Sequence, residues 1–346
     1  MRAARLYPGE RRLRLEDVPV PEPTGGQILL RVAGTGVCHS DLHLLDDPVG
    51  SEFLHLPVTL GHEIAGWVHD AGSEVSGIEI GEPVVVLCVC GCGRCEWCSA
   101  GHHELCERAT IAGAMTDGGF AEYVLVPRRD RLVSLGALDP VEAAPLADAA
   151  LTPYRALQRI RDRLSGDSTV VVIGIGGLGE YAVQLAQIVA DARVIAVDVR
   201  EDRLDRAAEL GADHCVASGL EAAAEILGYT GSKGAEAVID LVGTDESLGL
   251  SAAVVGRRGT IVLVGAGGGS IPLGFRTLAP EASFTTLLSG GTARYLAEVV
   301  ELAQAGRIRG QVSTYPLEAV NEALEDLRAG GVEGRAVVTP NGDGRA

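Results

Sequence analysis

The chain has 346 residues, 47% hydrophobic and 4% aromatic, with 46 glycines: enough apolar material for two ordinary domains, in a glycine-rich balance that suits an α/β protein. Its formal charge of −18, from 47 acids against 29 bases, opposes phosphate backbones and anionic lipid, so neither nucleic acid nor a membrane surface is an expected partner. The single lysine, Lys233, leaves almost no place for Schiff-base chemistry or a lysine-bearing phosphate loop.

In chain order, the N-terminus carries Arg2 and Arg5 but meets Pro8, Glu10 and Arg11 before any apolar secretion core forms. The longest uncharged stretch, Gly259 to Phe275, holds six glycines and Pro272, so a cytoplasmic protein without a spanning helix is expected. Short apolar runs broken by Pro and Gly, such as Gln27 to Val32 and Pro83 to Leu87, predict an irregular, mostly β region over about the first 150 residues. Within it, Cys38-His39-Ser40-Asp41, Gly61-His62-Glu63 and, much later, Asp148 place a sulfur, an imidazole and a carboxylate on three distant segments. These are the donor types of a catalytic zinc with one open position, although spacing alone equally allows ordinary satisfied polar residues. Six of the eight cysteines fall within 19 residues, and in a reducing compartment such crowding points to metal before disulfides. Cys92, Cys95, Cys98 and Cys106, with two, two and seven residues between them, suit a closed tetrahedral structural zinc. Cys88 and Cys90, just upstream, read as small buried hydrophobes, with Cys90 also open as a substitute ligand.

From about residue 168 the pattern changes. Thr169 to Ile173 is a β-branched run suited to a strand buried on both faces, with similar runs at Val194 to Val197, Ala237 to Ile239 and Thr260 to Val264. Between them, helices are predicted at Tyr181 to Val189, Asp202 to Leu210, Glu221 to Leu227 and Glu246 to Val255, the last three stopped by Gly211, Gly228 and Gly256. This alternation predicts a parallel sheet. The segment Gly174-Ile175-Gly176-Gly177-Leu178-Gly179 follows the first strand with the spacing of a dinucleotide turn: one glycine for the tight bend, one for close approach of a pyrophosphate, one for helix-on-strand packing. The helix after it presents amide donors and a positive dipole end to phosphate. Asp198, 24 residues beyond Gly174, stands where a carboxylate would bind the adenosine ribose and repel a 2′-phosphate, which favours NAD over NADP. Arg200 and Arg203 allow the opposite pairing, or simply open an exposed helix. After about residue 290 come an amphipathic helix, Tyr295 to Gln304, and strand-like pieces including Gly334 to Thr339. No repeat or low-complexity linker separates the halves, so a tight interface between two domains is expected.

The run Gly61-His62-Glu63-Ile64-Ala65-Gly66, with Gly72 and Val75 following, resembles the zinc signature of the medium-chain alcohol dehydrogenases. The Cys38 to Asp41 segment, the four-cysteine lobe, the Gly174 to Gly179 turn and Gly334-Arg335 occur in that family's order over nearly the whole chain. The resemblance implies an α/β fold: a Rossmann-type doubly wound parallel sheet over 153–289 that binds NAD, and a mostly β, GroES-like catalytic domain over 1–152 and 290–346, with its zinc lobe near 90–107. It implies two zinc ions per chain, one closed by the four cysteines of the lobe and one held by Cys38, His62 and Asp148. Glu63 then matches the carboxylate that hydrogen-bonds to, or transiently replaces, a ligand. Asp41 matches the acceptor that orients His62, Ser40 the hydroxyl that touches the substrate oxygen, and His43 the outer end of a proton relay. His39, Thr152, Leu178, Val242, Gly265 and Arg335 fall at NAD contacts, together with Gly174, Gly176, Gly177, Gly179, Asp198 and Arg203. Of these, His39 and Arg335 are the natural pyrophosphate partners. Asp148 departs from the cysteine that many members carry, and its harder oxygen leaves the metal more electrophilic.

The activity implied is reversible hydride transfer between NAD and a primary or secondary alcohol, the reverse direction reducing an aldehyde or ketone. The segment Leu287 to Gly291, which the family places near the substrate cleft, has no aromatic side chain, and Phe53 and Leu54 are the only bulky candidates for that cleft upstream, so a roomy pocket for secondary or bulky substrates is expected. Rival readings are a polyol or sugar-alcohol dehydrogenase of the same family and, from another class, a zinc-ribbon nucleic-acid-binding protein, which the charge opposes. A homo-oligomer, dimer or tetramer, is implied.

Overall fold

The computed structural model describes residues 1–46, 54–287 and 290–342. It divides into two compact units, Met1–Leu151 with Gly290–Ala346 and, between them in sequence, Thr152–Ser289.

In the second unit the β-branched strand Thr169–Ile173 is buried at every residue, as a strand covered on both faces must be. It sits inside a six-stranded sheet in the order His214–Ala217, Arg193–Asp198, Thr169–Ile173, Ala235–Asp240, Val255–Leu263, Ser283–Thr286. Every pairing is parallel. Helices Gly177–Ala190, Glu201–Glu209, Ala222–Tyr229 and Asp245–Val254 make the crossovers. Val171, Ile173, Ile195, Val197, Val238 and Ile261 form the core around the sheet. Chain order reverses between Thr169–Ile173 and Ala235–Asp240, and in open α/β sheets the carboxyl ends of two such strands flank the ligand crevice.

Two strands carry no apolar run in the sequence: His214–Ala217 and Ser283–Thr286 are the sheet's outer strands, each with at most one buried residue, so burial does not select their side chains. Two glycines do not stop the elements they follow. Helix Ala222–Tyr229 runs through Gly228, where a Cβ would meet open space. Helix Asp245–Val254, held by a Thr244–Ser247 capping box, ends before Val255, and strand Val255–Leu263 begins at once. Gly256 lies inside that strand because a Cβ there would come within 2.8 Å of the Lys233 carbonyl oxygen.

The first unit is built on the long strand Ile28–Gly36, which pairs antiparallel with Glu63–Ala71, Tyr123–Val126 and Arg335–Thr339. Pro83–Val86, Leu132–Ser134 and Val312–Pro316 complete the seven strands. Ile28, Leu30, Val32, Ile64, Val68 and Val84 form one apolar cluster, and Leu6, Leu42, Leu45, Leu60, Phe120 and Leu324 belong to a second. Among the described residues no helix is long and apolar enough to cross a membrane.

Candidate active site and metal-binding lobe

The strand Ile28–Gly36 delivers Cys38 to the start of helix His39–Asp46. There the Asp41 carboxylate turns back, and its Oδ2 accepts the Cys38 backbone N–H at 2.9 Å. The neighbouring strand begins at Glu63, in register with Gly36, so His62 arrives beside Cys38. Asp148 closes the 3-10 turn Ala144–Ala147. As a result Asp148 Oδ2 lies 3.8 Å from Cys38 Sγ and 3.9 Å from His62 Nε2. One donor atom each from Cys38, His62, Glu63 and Asp148 falls within 4.8 Å of all the others, and all four residues are buried. Ser40 Oγ donates to Cys38 Sγ at 3.1 Å.

Sulfur, imidazole and carboxylate are zinc's ordinary ligands, and their convergence in a buried place fits that ion. The surroundings fit as well. Asp41 is fully buried, and its Oδ1 has no hydrogen-bond partner but lies 3.4 Å from His62 Nδ1, which favours the tautomer with its lone pair on Nε2, toward Asp148. Burial works against a charged His62, yet the field of Asp41 and the Cys38 thiol outweighs it and pushes the imidazole pKa up: positive charge is favoured at this spot. Burial also pushes the thiol of Cys88, which is not one of the four donors, up to about 11.

Glu63 is fully buried; Arg335 donates to it from Nε at 3.0 Å and from Nη2. Burial raises the Glu63 carboxyl to about 7 against the opposing pull of Arg335. Arg335 itself is only 4% exposed, and two of its guanidinium donors go to Glu63, the partner that its expected pyrophosphate role did not include.

In the lobe, Cys92, Cys95, Cys98 and Cys106 likewise bring their sulfurs within 4.8 Å of one another. Cys95 caps the short helix Glu96–Ser99, accepting the Cys98 N–H at 3.5 Å, and Cys106 accepts the Cys92 N–H at 3.4 Å. The Arg94 backbone N–H leads the contributions that lower the Cys92 thiol to about 6, toward the thiolate a metal needs. Gly91 lets this packing close, since a Cβ there would come within 2.6 Å of Cys98 Sγ. Cys90 is not in the group.

In the second unit the three glycines of the turn do three different things. Gly174 has φ +91 and a Cβ there would meet Val242 Cγ2 at 2.6 Å; a Cβ at Gly179 would strike the Gly174 carbonyl. Gly176 has only Arg203 Nη1 near, at 3.9 Å, which leaves its backbone open to a ligand. Asp198 Oδ2 accepts the Ile175 N–H at 2.7 Å and its Oδ1 accepts the Arg200 N–H at 3.0 Å; Arg203 Nη1 lies 3.8 Å from Oδ2. Arg200 is held by Asp202 through two hydrogen bonds. A residue not anticipated is Asp240: fully buried, its Oδ1 accepts the N–H groups of Val242 and Gly243 at 2.9 Å each and fixes the turn at the end of strand Ala235–Asp240. The signal was a carboxylate ending an apolar strand three residues before a glycine.

His39, Ser40 and His43 are exposed, and Thr152 is buried. Gly177 and Leu178 open the helix after the glycine turn, and Gly265 packs against the Val242 backbone. Leu54 packs against the Leu6–Leu42 cluster and Leu287 is buried, while Phe53, Leu288 and Ser289 lie outside the described residues.

Comparison with known proteins agrees with this geometry. Residues 24–137 match the alcohol dehydrogenase GroES-like domain and residues 177–305 the zinc-binding dehydrogenase domain. An NAD-dependent alcohol dehydrogenase of Sulfurisphaera tokodaii is 39% identical, covering 98% of this chain and 100% of its own. A D-arabinose 1-dehydrogenase (NADP(+)) of Saccharolobus solfataricus is 36% identical over 98% of this chain and 97% of its own. The crystal structure of the alcohol dehydrogenase from Aeropyrum pernix superposes with a TM-score of 0.92 at 36% identity, covering 98% of this chain and 100% of that one.

Proposed function

The chain belongs to the zinc-dependent medium-chain alcohol dehydrogenase family, and from that premise we propose that it interconverts a primary or secondary alcohol and its aldehyde or ketone with NAD. The observation that carries this reading is the buried convergence of Cys38, His62 and Asp148 with the Ser40 hydroxyl 3.1 Å from the Cys38 sulfur. When bound, zinc supplies Lewis acidity and NAD supplies the hydride acceptor. The chain's own residues do the rest. Asp41 fixes the His62 ring, and Ser40 receives the alcohol proton and passes it outward. His43, three residues on in the same helix and exposed, delivers it to solvent.

The Met1–Leu151 and Gly290–Ala346 unit is then the catalytic domain, with Cys92, Cys95, Cys98 and Cys106 holding a structural zinc. The Thr152–Ser289 unit is the NAD domain, with Gly174, Gly176, Gly177, Leu178 and Gly179 at the pyrophosphate, Asp198 and Arg203 at the adenosine ribose, and Val242 and Gly265 beside the nicotinamide half. His39, Thr152 and Arg335 complete the NAD contacts. The protein acts in the cytoplasm as a homo-oligomer. Ser283–Thr286, which pairs on one side only among the described strands, offers a free edge to a second copy.

Reduction of NAD followed by absorbance across hydrophobic primary, secondary and bulky alcohols tests the reading; no turnover with any of them would sink it. The arabinose dehydrogenase relative favours a second reading, oxidation of polyols or sugars, and sorbitol and D-arabinose in the same panel separate the two.

A further inference from the structure

We propose that Gly36 is a positioning residue: by carrying no side chain on the middle of three strands, it opens the passage through which the Glu63 carboxylate reaches Arg335 and stands beside the Cys38, His62 and Asp148 donors. The proposal rests on the reading that those donors hold zinc.

Glu63 and Arg335 are not on adjacent strands. Strand Ile28–Gly36 runs between Glu63–Ala71 and Arg335–Thr339. Gly36 is opposite Glu63 on one side and opposite Val337 on the other. Arg335, two residues before Val337, points to the same face, because side chains alternate along a strand. With adjacent strands about 4.8 Å apart, the outer two are separated by roughly 10 Å, so carboxylate and guanidinium meet only by crossing over the middle strand. They cross at Gly36. A Cβ there would overlap Glu63 Oε2 and come within 2.9 Å of its Cδ and 3.0 Å of its Cβ.

Neither partner can swing aside at low cost. Glu63 is 0% exposed, and Arg335, at 4%, is tied to it through Nε and Nη2. Gly36 is also not among the glycines with positive φ, so its backbone does not itself demand glycine; the demand comes from the carboxylate. Gly34 on the same strand differs. A Cβ there would clash with Val337 Cγ1 at 2.8 Å and approach the Val141 Cα at 3.1 Å, neither of them an atom of Glu63.

The test uses the full-length, metal-loaded protein with Gly36→Ala, Glu63→Asp, the double variant and Gly34→Ala as control. Three quantities are read: zinc release to a colorimetric chelator, the visible spectrum after cobalt substitution, and the thermal unfolding midpoint. Gly36→Ala is expected to speed release of one of the two zinc ions by about tenfold or more, the scale on which residues supporting metal ligands act, and to change the cobalt spectrum. Glu63→Asp draws back the carboxylate that a Cβ at Gly36 would overlap and leaves only the 3.0 Å approach of its own Cβ, which a shift of a few tenths of an ångström relieves. In that background, adding Gly36→Ala should alter release by less than about twofold, because the interaction it disrupts is already gone. Gly34→Ala should lower the midpoint and leave release unchanged. Wild-type release from Gly36→Ala, or the same fold-change in both backgrounds, overturns the proposal. If Gly36→Ala does not accumulate folded, a folded double variant supports the proposal and an unfolded one overturns it, since glycine would then be needed whatever stands at position 63. If the wild type binds one zinc only and Cys98→Ser removes it, the catalytic-zinc reading fails, and the coupling of Gly36 to Glu63 is still decided by whether their effects on the unfolding midpoint add, which would overturn it, or fall short of the sum.

Discussion

Asp198→Asn separates the job that the structure gives this carboxylate, holding the glycine turn, from the one we propose for it, selecting the coenzyme. Asp198 is 5% exposed; its Oδ2 accepts the Ile175 N–H at 2.7 Å and its Oδ1 the Arg200 N–H at 3.0 Å, so it ties the glycine turn to the start of the next helix. Asparagine keeps the shape and one acceptor but turns an NH2 group toward the other backbone N–H. A buried donor left unsatisfied costs about 1–3 kcal/mol, which should lower the unfolding temperature by a few degrees. The second job is charge. Removing it lifts the repulsion against a 2′-phosphate and leaves Arg203, now 3.8 Å from Oδ2, to meet that phosphate. The NADP to NAD ratio of kcat/KM should rise by about tenfold, or about 1.4 kcal/mol. Initial rates with both coenzymes, set beside a melting curve, read the two effects separately. A lower melting temperature with an unchanged coenzyme ratio would make Asp198 a turn-holding residue alone, and a wild type that prefers NADP would refute the reasoning outright.

Three further outcomes are expected. His43→Ala should slow alcohol oxidation near neutral pH by about tenfold without loss of zinc, and higher pH or added imidazole should restore much of the rate; identical pH profiles for variant and wild type would retire the relay. Cys98→Ser opens the four-cysteine lobe, so the protein should carry one zinc instead of two and unfold at lower temperature; metal analysis that still finds two would remove Cys98 from the ligand set. Asp130 is held at about 2 against an ordinary 3.8: burial works the other way, but hydrogen bonds from Arg128 and Arg131 prevail. A carboxyl depressed in this way stabilises the fold fully above about pH 4 and loses that contribution as pH falls toward 2. The midpoint difference between wild type and Asp130→Asn should therefore be constant from about pH 5 to 7 and shrink below about pH 4; a difference that widens on acidification contradicts the pairing.

The parts of this protein legible in its sequence are those where one residue type is physically forced. The buried strand Thr169–Ile173 has to be β-branched and apolar throughout, and the four cysteines of the lobe lie close enough in the chain to announce one metal. The strands His214–Ala217 and Ser283–Thr286 were not legible, because half-exposed outer strands carry no apolar pattern. The donor set of Cys38, His62 and Asp148 joins segments up to 110 residues apart, so residue type alone left it one reading beside ordinary polar residues until the family's motif order singled it out. Backbone supports were hardest to see. Asp240 acts through the amides of Val242 and Gly243, and Gly36 through the side chain it lacks, so neither has a periodicity or spacing of its own. A glycine ending an apolar strand, two residues before a candidate ligand, was the available clue.

His62→Ala, assayed at once for zinc content, coenzyme binding and alcohol-driven NAD reduction, bears most directly on the catalytic centre. His62 supplies one donor of the buried set and none of the lobe, and it lies outside the Thr152–Ser289 unit. The expected protein is folded, carries one zinc in place of two, still quenches or enhances NADH fluorescence on binding, and has lost turnover with every alcohol the wild type oxidises. A His62→Ala protein that turns over alcohol at close to the wild-type rate would contradict the proposed metal centre.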